Sequence, residues 1–156
     1  MKSFLLATFL VASSSTFAAA TGTLIISGTI SPVNDLTITP TVDATNLNII
    51  AGETAKLVAS ATETSNSLTG YKIRMKSLNS SKLVNTVNAT YHTNYTISYN
   101  GGSYLTLSNV DQDVKNVSSL SGLTTQNSDI KVNVTAYPTG PAGVYSDTIT
   151  VSIIAN

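Results

Sequence analysis

Strict alternation between apolar and polar residues constrains this chain more than any other feature of its sequence. The closing stretch, GVYSDTITVSIIAN, has this alternation in its clearest form. One face would carry Tyr145, Ile149, Val151 and Ile153, and the other Ser146, Thr148, Thr150 and Ser152. Successive side chains of a β-strand point to opposite faces. The stretch therefore predicts one continuous strand with one face in a hydrophobic core and an edge that another strand could cover.

The same period of two recurs along the chain after residue 20. It predicts strands at 23–30, 35–39, 46–50, 55–62, 70–77, 94–99, 103–107 and 129–136, in addition to the closing strand. Asn100-Gly101 is a strong hairpin signal, whereas the polar stretch 108–128 predicts a long loop or a weak edge. Many short strands separated by turn residues predict an all-β antiparallel sandwich.

The first twenty residues have the layout of a secretory signal peptide. Lys2 is followed by an apolar run at 4–12, and Ala18-Ala19-Ala20 offers a cleavage site. The run is too short for a membrane span. We expect residues 1–20 to be removed and the mature chain to pass through the periplasm to the cell surface. An uncleaved anchor is the alternative.

Charge and reactive residues are sparse, which narrows the classes of function. Only 10% of residues are charged and no cysteine is present. Without a basic stripe, a nucleic-acid partner is not expected. His92 is the only histidine, and no nucleophile-elbow sequence accompanies it. We therefore expect neither catalysis nor a cofactor.

One loop partly follows a calcium-binding pattern. Asn109, Asp111 and Asp113 alternate like the first ligands of an EF-hand loop, but Val114 and Leu120 stand where that loop needs Gly and Glu. The pattern therefore favours a solvated loop over a metal site.

Three stretches carry a family resemblance. The ending AGVYSDTITVSIIAN, the pair GYKIRMKSLNSSKLVN and YTISYNG, and the N-terminal TGTLIISGTIS resemble archaic chaperone–usher pilins, the branch grouped with spore-coat-U-like domains. The resemblance covers most of residues 21–156 in order.

The resemblance implies an immunoglobulin-like sandwich that lacks its last strand. Residues 21–33 would be a donor segment carrying Leu24, Ile26, Gly28 and Ile30, and residues 34–156 would be the sandwich. A periplasmic chaperone would lend the missing strand, an outer-membrane usher would exchange it, and the donor segment of the next subunit would replace it. The acceptor groove would be lined from the closing strand, by Tyr145, Ile149, Val151 and Ile153.

Two functions from different classes follow. The chain is either a structural subunit of a fimbria that polymerises through its donor strand, or a secreted binding module or adhesin whose own first strand completes its sandwich. The segment 31–34 separates them. A tight turn there would favour pairing within the chain, and an extended linker would favour pairing with a neighbour. A secreted hydrolase is a distant third.

Overall fold

The computed structural model describes residues 18–156, and these divide into a short N-terminal unit, 18–30, and a β-sheet unit, 31–156. The N-terminal unit contains no helix or strand. Most of the predicted signal peptide lies outside the described residues. The strands of the second unit are β1 (Asn34–Pro40), β2 (Glu53–Ser65), β3 (Tyr71–Ser77), β4 (Lys82–Asn85), β5 (His92–Tyr99), β6 (Gln112–Val117), β7 (Thr124–Val134), β8 (Tyr145–Ser146) and β9 (Ile149–Ala155).

Two antiparallel sheets form the sandwich. The larger sheet has the strand order β1-β2-β7-β5-β4-β8, and the smaller has the order β6-β3-β9. The predicted all-β antiparallel sandwich is confirmed. The order β1-β2-β7-β5 matches the A-B-E-D sheet of immunoglobulin domains, and β3-β9 matches their C-F pair. The strand that would lie beyond β9 in that topology has no counterpart among residues 18–156.

The core follows the alternation that the sequence predicts. Along β3, Tyr71, Ile73 and Met75 are buried, whereas the residues between them are partly exposed. β5 and β7 add further large buried side chains, which are Tyr95, Ile97, Tyr99, Ile130, Val132 and Val134. Apolar faces of both sheets therefore pack against each other, as binary patterning requires.

Four strand predictions need correction. Residues 23–30 form no strand, because a strand exists only where a neighbour supplies ladder hydrogen bonds. Residues 46–50 follow a 3₁₀ turn at Val42–Thr45 and use side-chain partners instead: Asn48 N–H donates to Glu53 at 2.8 Å. The Asn100-Gly101 turn exists, with positive φ at both residues, but the return strand shrinks to one bridge between Leu105 and Ile97. The fourth is the closing strand, which is broken into β8 and β9.

The stretch 108–128, predicted as a long loop or a weak edge, contains β6, which is an edge strand of the smaller sheet, and the beginning of β7. Its inward positions on β7 are Gln126 and Ser128, and its outward positions on β6 are Asp113 and Asn116, so no apolar alternation marks it. β4 has only four residues and was not predicted.

Candidate functional site

An apolar groove lies between β1, an edge strand of the larger sheet, and β9, an edge strand of the smaller sheet. β1 pairs with β2 alone, and β9 pairs with β3 alone, within the part of the chain that the structure describes. These two edge strands lie against each other across the sandwich. Their free edges therefore border one opening between the sheets.

The groove has a volume of about 350 Å³ and a mainly apolar lining. β1 contributes Ile38 and Pro40, and β9 contributes Ile149 and Val151. The floor consists of core side chains from both sheets, namely Val58, Ala59, Met75, Leu83, Tyr95, Ile130, Val132 and Val134. The floor residues themselves are buried, whereas Ile38, Ile149 and Val151 at the rim of the groove remain partly exposed. A concave, mainly apolar opening of this kind is the usual form of a candidate binding site.

The structure brings three of the four predicted groove residues onto one strand. Ile149, Val151 and Ile153 alternate along β9, pack against the core and remain partly exposed. Their partners on β3 are Ser77, Met75 and Ile73. Ile149 and Val151 line the groove, whereas Ile153 lies further along the strand, outside the lining.

The fourth predicted groove residue, Tyr145, lies on the other sheet. β8 pairs with β4, so the chain crosses from one sheet to the other between Ser146 and Ile149. The Tyr145 ring packs edge-on against Tyr137, with centroids 6.3 Å apart, and its hydroxyl donates to the carbonyl of Pro141 at 2.8 Å. Tyr145 is therefore not among the residues that line the groove.

Asp147 holds the crossover in place. Its carboxylate accepts hydrogen bonds from the Tyr95 hydroxyl at 2.7 Å and the Ser77 hydroxyl at 2.5 Å, and from the main-chain N–H groups of Asn79 at 3.0 Å and Thr148 at 2.7 Å. Burial, followed by this carboxylate, raises the pKa of Tyr95. Asp147 also lines the groove, where it is the one carboxylate among the lining residues described. It thereby fixes the start of β9.

The predicted donor residues lie in the N-terminal unit and are solvent-exposed. The side chains of Leu24, Ile26 and Ile30 are 83%, 86% and 89% exposed, and Gly28 is exposed as well. Ile25, on the opposite face of a would-be strand, is 85% exposed. So much exposed apolar surface within a few residues is costly in water.

Residues 31–33 run into β1 without a turn. Asn66 holds them with three hydrogen bonds: its side-chain N–H donates to the carbonyl of Ser31 at 2.9 Å, its side-chain oxygen accepts from Val33 N–H at 2.7 Å, and its main-chain N–H donates to the carbonyl of Val33 at 3.2 Å. We call this arrangement the Asn66 clamp. The segment 31–34, which the sequence singled out as decisive, therefore contains no tight turn.

A buried polar cluster, which the sequence did not predict, joins the two sheets. Glu63 on β2 is 0% exposed. Its carboxylate accepts hydrogen bonds from Lys115 at 2.7 Å, Tyr71 at 2.6 Å, Tyr99 at 2.5 Å and Ser128 at 2.7 Å. The donors lie on β3, β5, β6 and β7. We call this set the Glu63 cluster.

Opposing effects act on the Glu63 carboxylate. Burial raises its pKa, but the hydrogen bonds from Lys115, Tyr71, Tyr99 and Ser128 outweigh burial, so the pKa lies below its ordinary value of 4.5. Burial and the neighbouring carboxylate raise the pKa values of Tyr71 and Tyr99. The cluster is an ionised acceptor surrounded by matched donors, and its arrangement is suited to stabilising the fold.

The acidic residues of the calcium-like loop pair with lysine and arginine. Asp113 on β6 binds Lys72 at 2.9 Å and Arg74 at 2.8 Å, both on β3, and Asp111 lies 3.6 Å from Lys76. Within residues 18–156, no three His, Asp or Glu side chains gather as metal ligands. The His92 ring, exposed at the start of β5, approaches only the carbonyl of Thr90 at 3.3 Å among its hydrogen-bond partners in the described residues.

Comparison with protein-family models and with curated proteins finds no match for this chain. Among the described residues, no helix is long and apolar enough to cross a membrane. The geometry of the groove and of the N-terminal unit is therefore the basis for a functional proposal.

Proposed function

We propose that this chain is a structural subunit of a surface filament. In such a filament, the donor segment of one copy lies as an added strand in the groove between β1 and β9 of another. The observation that carries the proposal is a matched pair of features: an edge-bordered apolar groove in the sandwich and an exposed alternating apolar segment before it.

The chemistry of the two features is complementary. Burying each of Leu24, Ile26 and Ile30 would contribute about 1.5–3 kcal/mol. Main-chain groups on the free edge of β9 would add ladder hydrogen bonds of about 0.5–1.5 kcal/mol each. Gly28 has no side chain and would match a shallow place in the groove.

The absence of a tight turn at 31–33 supports pairing between copies rather than within one chain. A head-to-tail exchange of this kind does not close on itself, so it builds an open polymer. During export, a periplasmic chaperone would cover the groove and an outer-membrane usher would exchange that cover for the next subunit. These two partners rest on the family resemblance alone.

Peptide complementation tests the proposal. A protein of residues 31–156 should be poorly soluble and have a low Tm, because its groove is open. A peptide of residues 21–31 should raise the Tm in a concentration-dependent manner. At a peptide concentration one hundred times its Kd, binding should add about 2.7 kcal/mol to the free energy of unfolding. The matched control is the same peptide carrying Ile26→Asp, which should have no effect. A truncated protein that is a stable monomer and ignores both peptides would favour the self-contained binding module.

A further inference from the structure

We propose that neighbouring copies in the filament touch directly, through the turn Ser67–Gly70 of one copy and the rim of the groove of the next. The inference rests on the proposed function and adds a second contact surface to it. Its basis is the Asn66 clamp, which binds Ser31 and Val33, at the end of the donor segment, to the sandwich of their own copy and leaves no free linker after Ile30.

The length of the connection is set by the clamp. Ile30 is the last donor residue, and Ser31, the next residue, is already bound through its carbonyl to Asn66. Pro32 follows with its fixed φ, and Val33 is bound at both main-chain groups. The Ser65 hydroxyl adds a bond to the Asn34 side chain at 2.8 Å, at the beginning of β1.

A neighbour that holds Ile30 in its groove must therefore come very close. Consecutive Cα atoms are about 3.8 Å apart, so the rim around Ile30 lies about one residue length from Ser31 of the donating copy. A flexible linker would let the two sandwiches separate, but the clamp leaves no flexible residues between Ile30 and the sandwich of the donating copy. Whatever surrounds the clamp must then face the neighbour.

The turn Ser67–Gly70 surrounds the clamp on the side of Asn66. Leu68 at its tip is 75% exposed, and the turn carries no charge that would repel a second copy. Gly70 N–H closes the turn on the Ser67 carbonyl at 2.9 Å. The Thr69 hydroxyl donates to the Asn156 carbonyl at 3.0 Å, and the Asn156 side chain donates back to the Thr69 carbonyl at 3.0 Å.

The turn is therefore held in shape before any partner arrives. At Gly70, φ is +76°, and a β-carbon there would lie 1.8 Å from the Val117 carbonyl oxygen, so no other residue fits. A rigid turn with an exposed leucine loses little conformational freedom on binding, which favours a specific contact.

Filament stiffness tests the clamp. Filaments sheared from exporting cells should show a severalfold lower persistence length by negative-stain imaging when they carry Asn66→Ala. An insertion of Gly-Gly-Ser between Ile30 and Ser31, which leaves the sandwich untouched, should have the same effect. The matched control is Asn127→Ala, which removes an exposed asparagine that bonds to Thr62 on the outer face of the large sheet. It should leave stiffness unchanged.

Thiol protection tests the contact itself. The chain contains no cysteine, so Leu68→Cys introduces a unique thiol. This thiol should react freely in the isolated subunit and be protected severalfold in the filament, whereas Asp129→Cys should react in both. Filaments of unchanged stiffness together with a reactive Leu68→Cys thiol would overturn the inference and leave the proposed function standing. A wild-type chain that forms no filaments would overturn both.

Discussion

The rim of the groove and the Glu63 cluster both lie between the two sheets, but they differ in how far their side chains are buried and partnered. At the cluster, a fully buried carboxylate has four donors from four other strands, and no side-chain polar atom buried within the described residues lacks a partner. At the rim, Ile38, Ile149 and Val151 are apolar, partly exposed and faced by empty space. The polar groups between the sheets are therefore matched at the cluster, whereas the apolar groups at the rim remain partly exposed.

This difference separates folding from assembly. The Glu63 cluster links β2, β3, β5, β6 and β7, which contain most of the core, so the subunit has a defined sheet-to-sheet geometry of its own. The rim involves only edge strands, whose unpaired main-chain groups are available to another chain. Under the proposed function, changes at the rim or in the donor segment should affect polymerisation, whereas changes at the cluster should affect the stability of the fold.

The largest expected effect is the loss of assembly in Ile26→Asp. A charge placed in an apolar groove costs several kcal/mol, which is comparable with the burial gained from the whole donor. We expect no filaments by negative-stain imaging, while the urea unfolding midpoint of the subunit stays the same. The matched control is Ser27→Asp, on the opposite face of the donor, which should still assemble. Equal loss of subunit stability in Ile26→Asp would show that the segment folds with its own sandwich.

Glu63→Ala should be next in size and should act on folding. Removing the carboxylate leaves the Tyr99 hydroxyl without its acceptor and takes the charged partner from the Lys115 ammonium, which keeps only the neutral acceptors Gln126 and Ser128 in a mostly buried site. Breaking a buried pair in this way costs about 3–5 kcal/mol. Equilibrium urea unfolding should show this loss, and Glu53→Ala, nearer the surface, provides the comparison. A loss below about 1 kcal/mol would mean that the two sheets do not depend on the cluster.

Protonation of Glu63 should contribute to the loss of stability at acid pH. Because the pKa in the folded chain lies below 4.5, the ionised carboxylate stabilises the fold above about that pH. This stability should be lost as the pH falls through the lowered value. Unfolding measured from pH 7 down to pH 2 should therefore be steeper for the wild type than for Glu63→Gln. Parallel curves would exclude Glu63 as the acid-sensitive group.

The sequence predicted the regions of apolar alternation well and the polar ones poorly. β3 and the core half of β7 follow from their alternating residues. The Glu63 cluster was hidden because its inward positions, Glu63, Gln126 and Ser128, look like solvent-facing residues until the strands around them are placed. The β1 side of the groove, with Ile38 and Pro40, was missed for another reason, because a groove there depends on which strands become edges of the two sheets.

The broken closing strand teaches a similar lesson. Tyr145 and Ile149 share a face in a straight strand, but Asp147 lies between them on that same face. A carboxylate in an apolar row is the one local signal that the row is interrupted. Its four donors come from residues far along the chain and from the next residue, so only the folded structure reveals why the chain changes sheets there.

The smallest effect should come from the outer face of the small sheet, where the ion pairs are exposed. Lys72 and Arg74 hold the pKa of Asp113 below its ordinary value, but the carboxylate stays in contact with water. Solvent and salt screen such pairs, so Asp113→Asn should shift the Tm only slightly, and the shift should vanish in high salt. Thermal unfolding at low and high ionic strength measures this directly. A large, salt-insensitive loss would mean that β6 depends on Asp113 as strongly as the buried strands depend on Glu63, and the contrast between surface and cluster would fail.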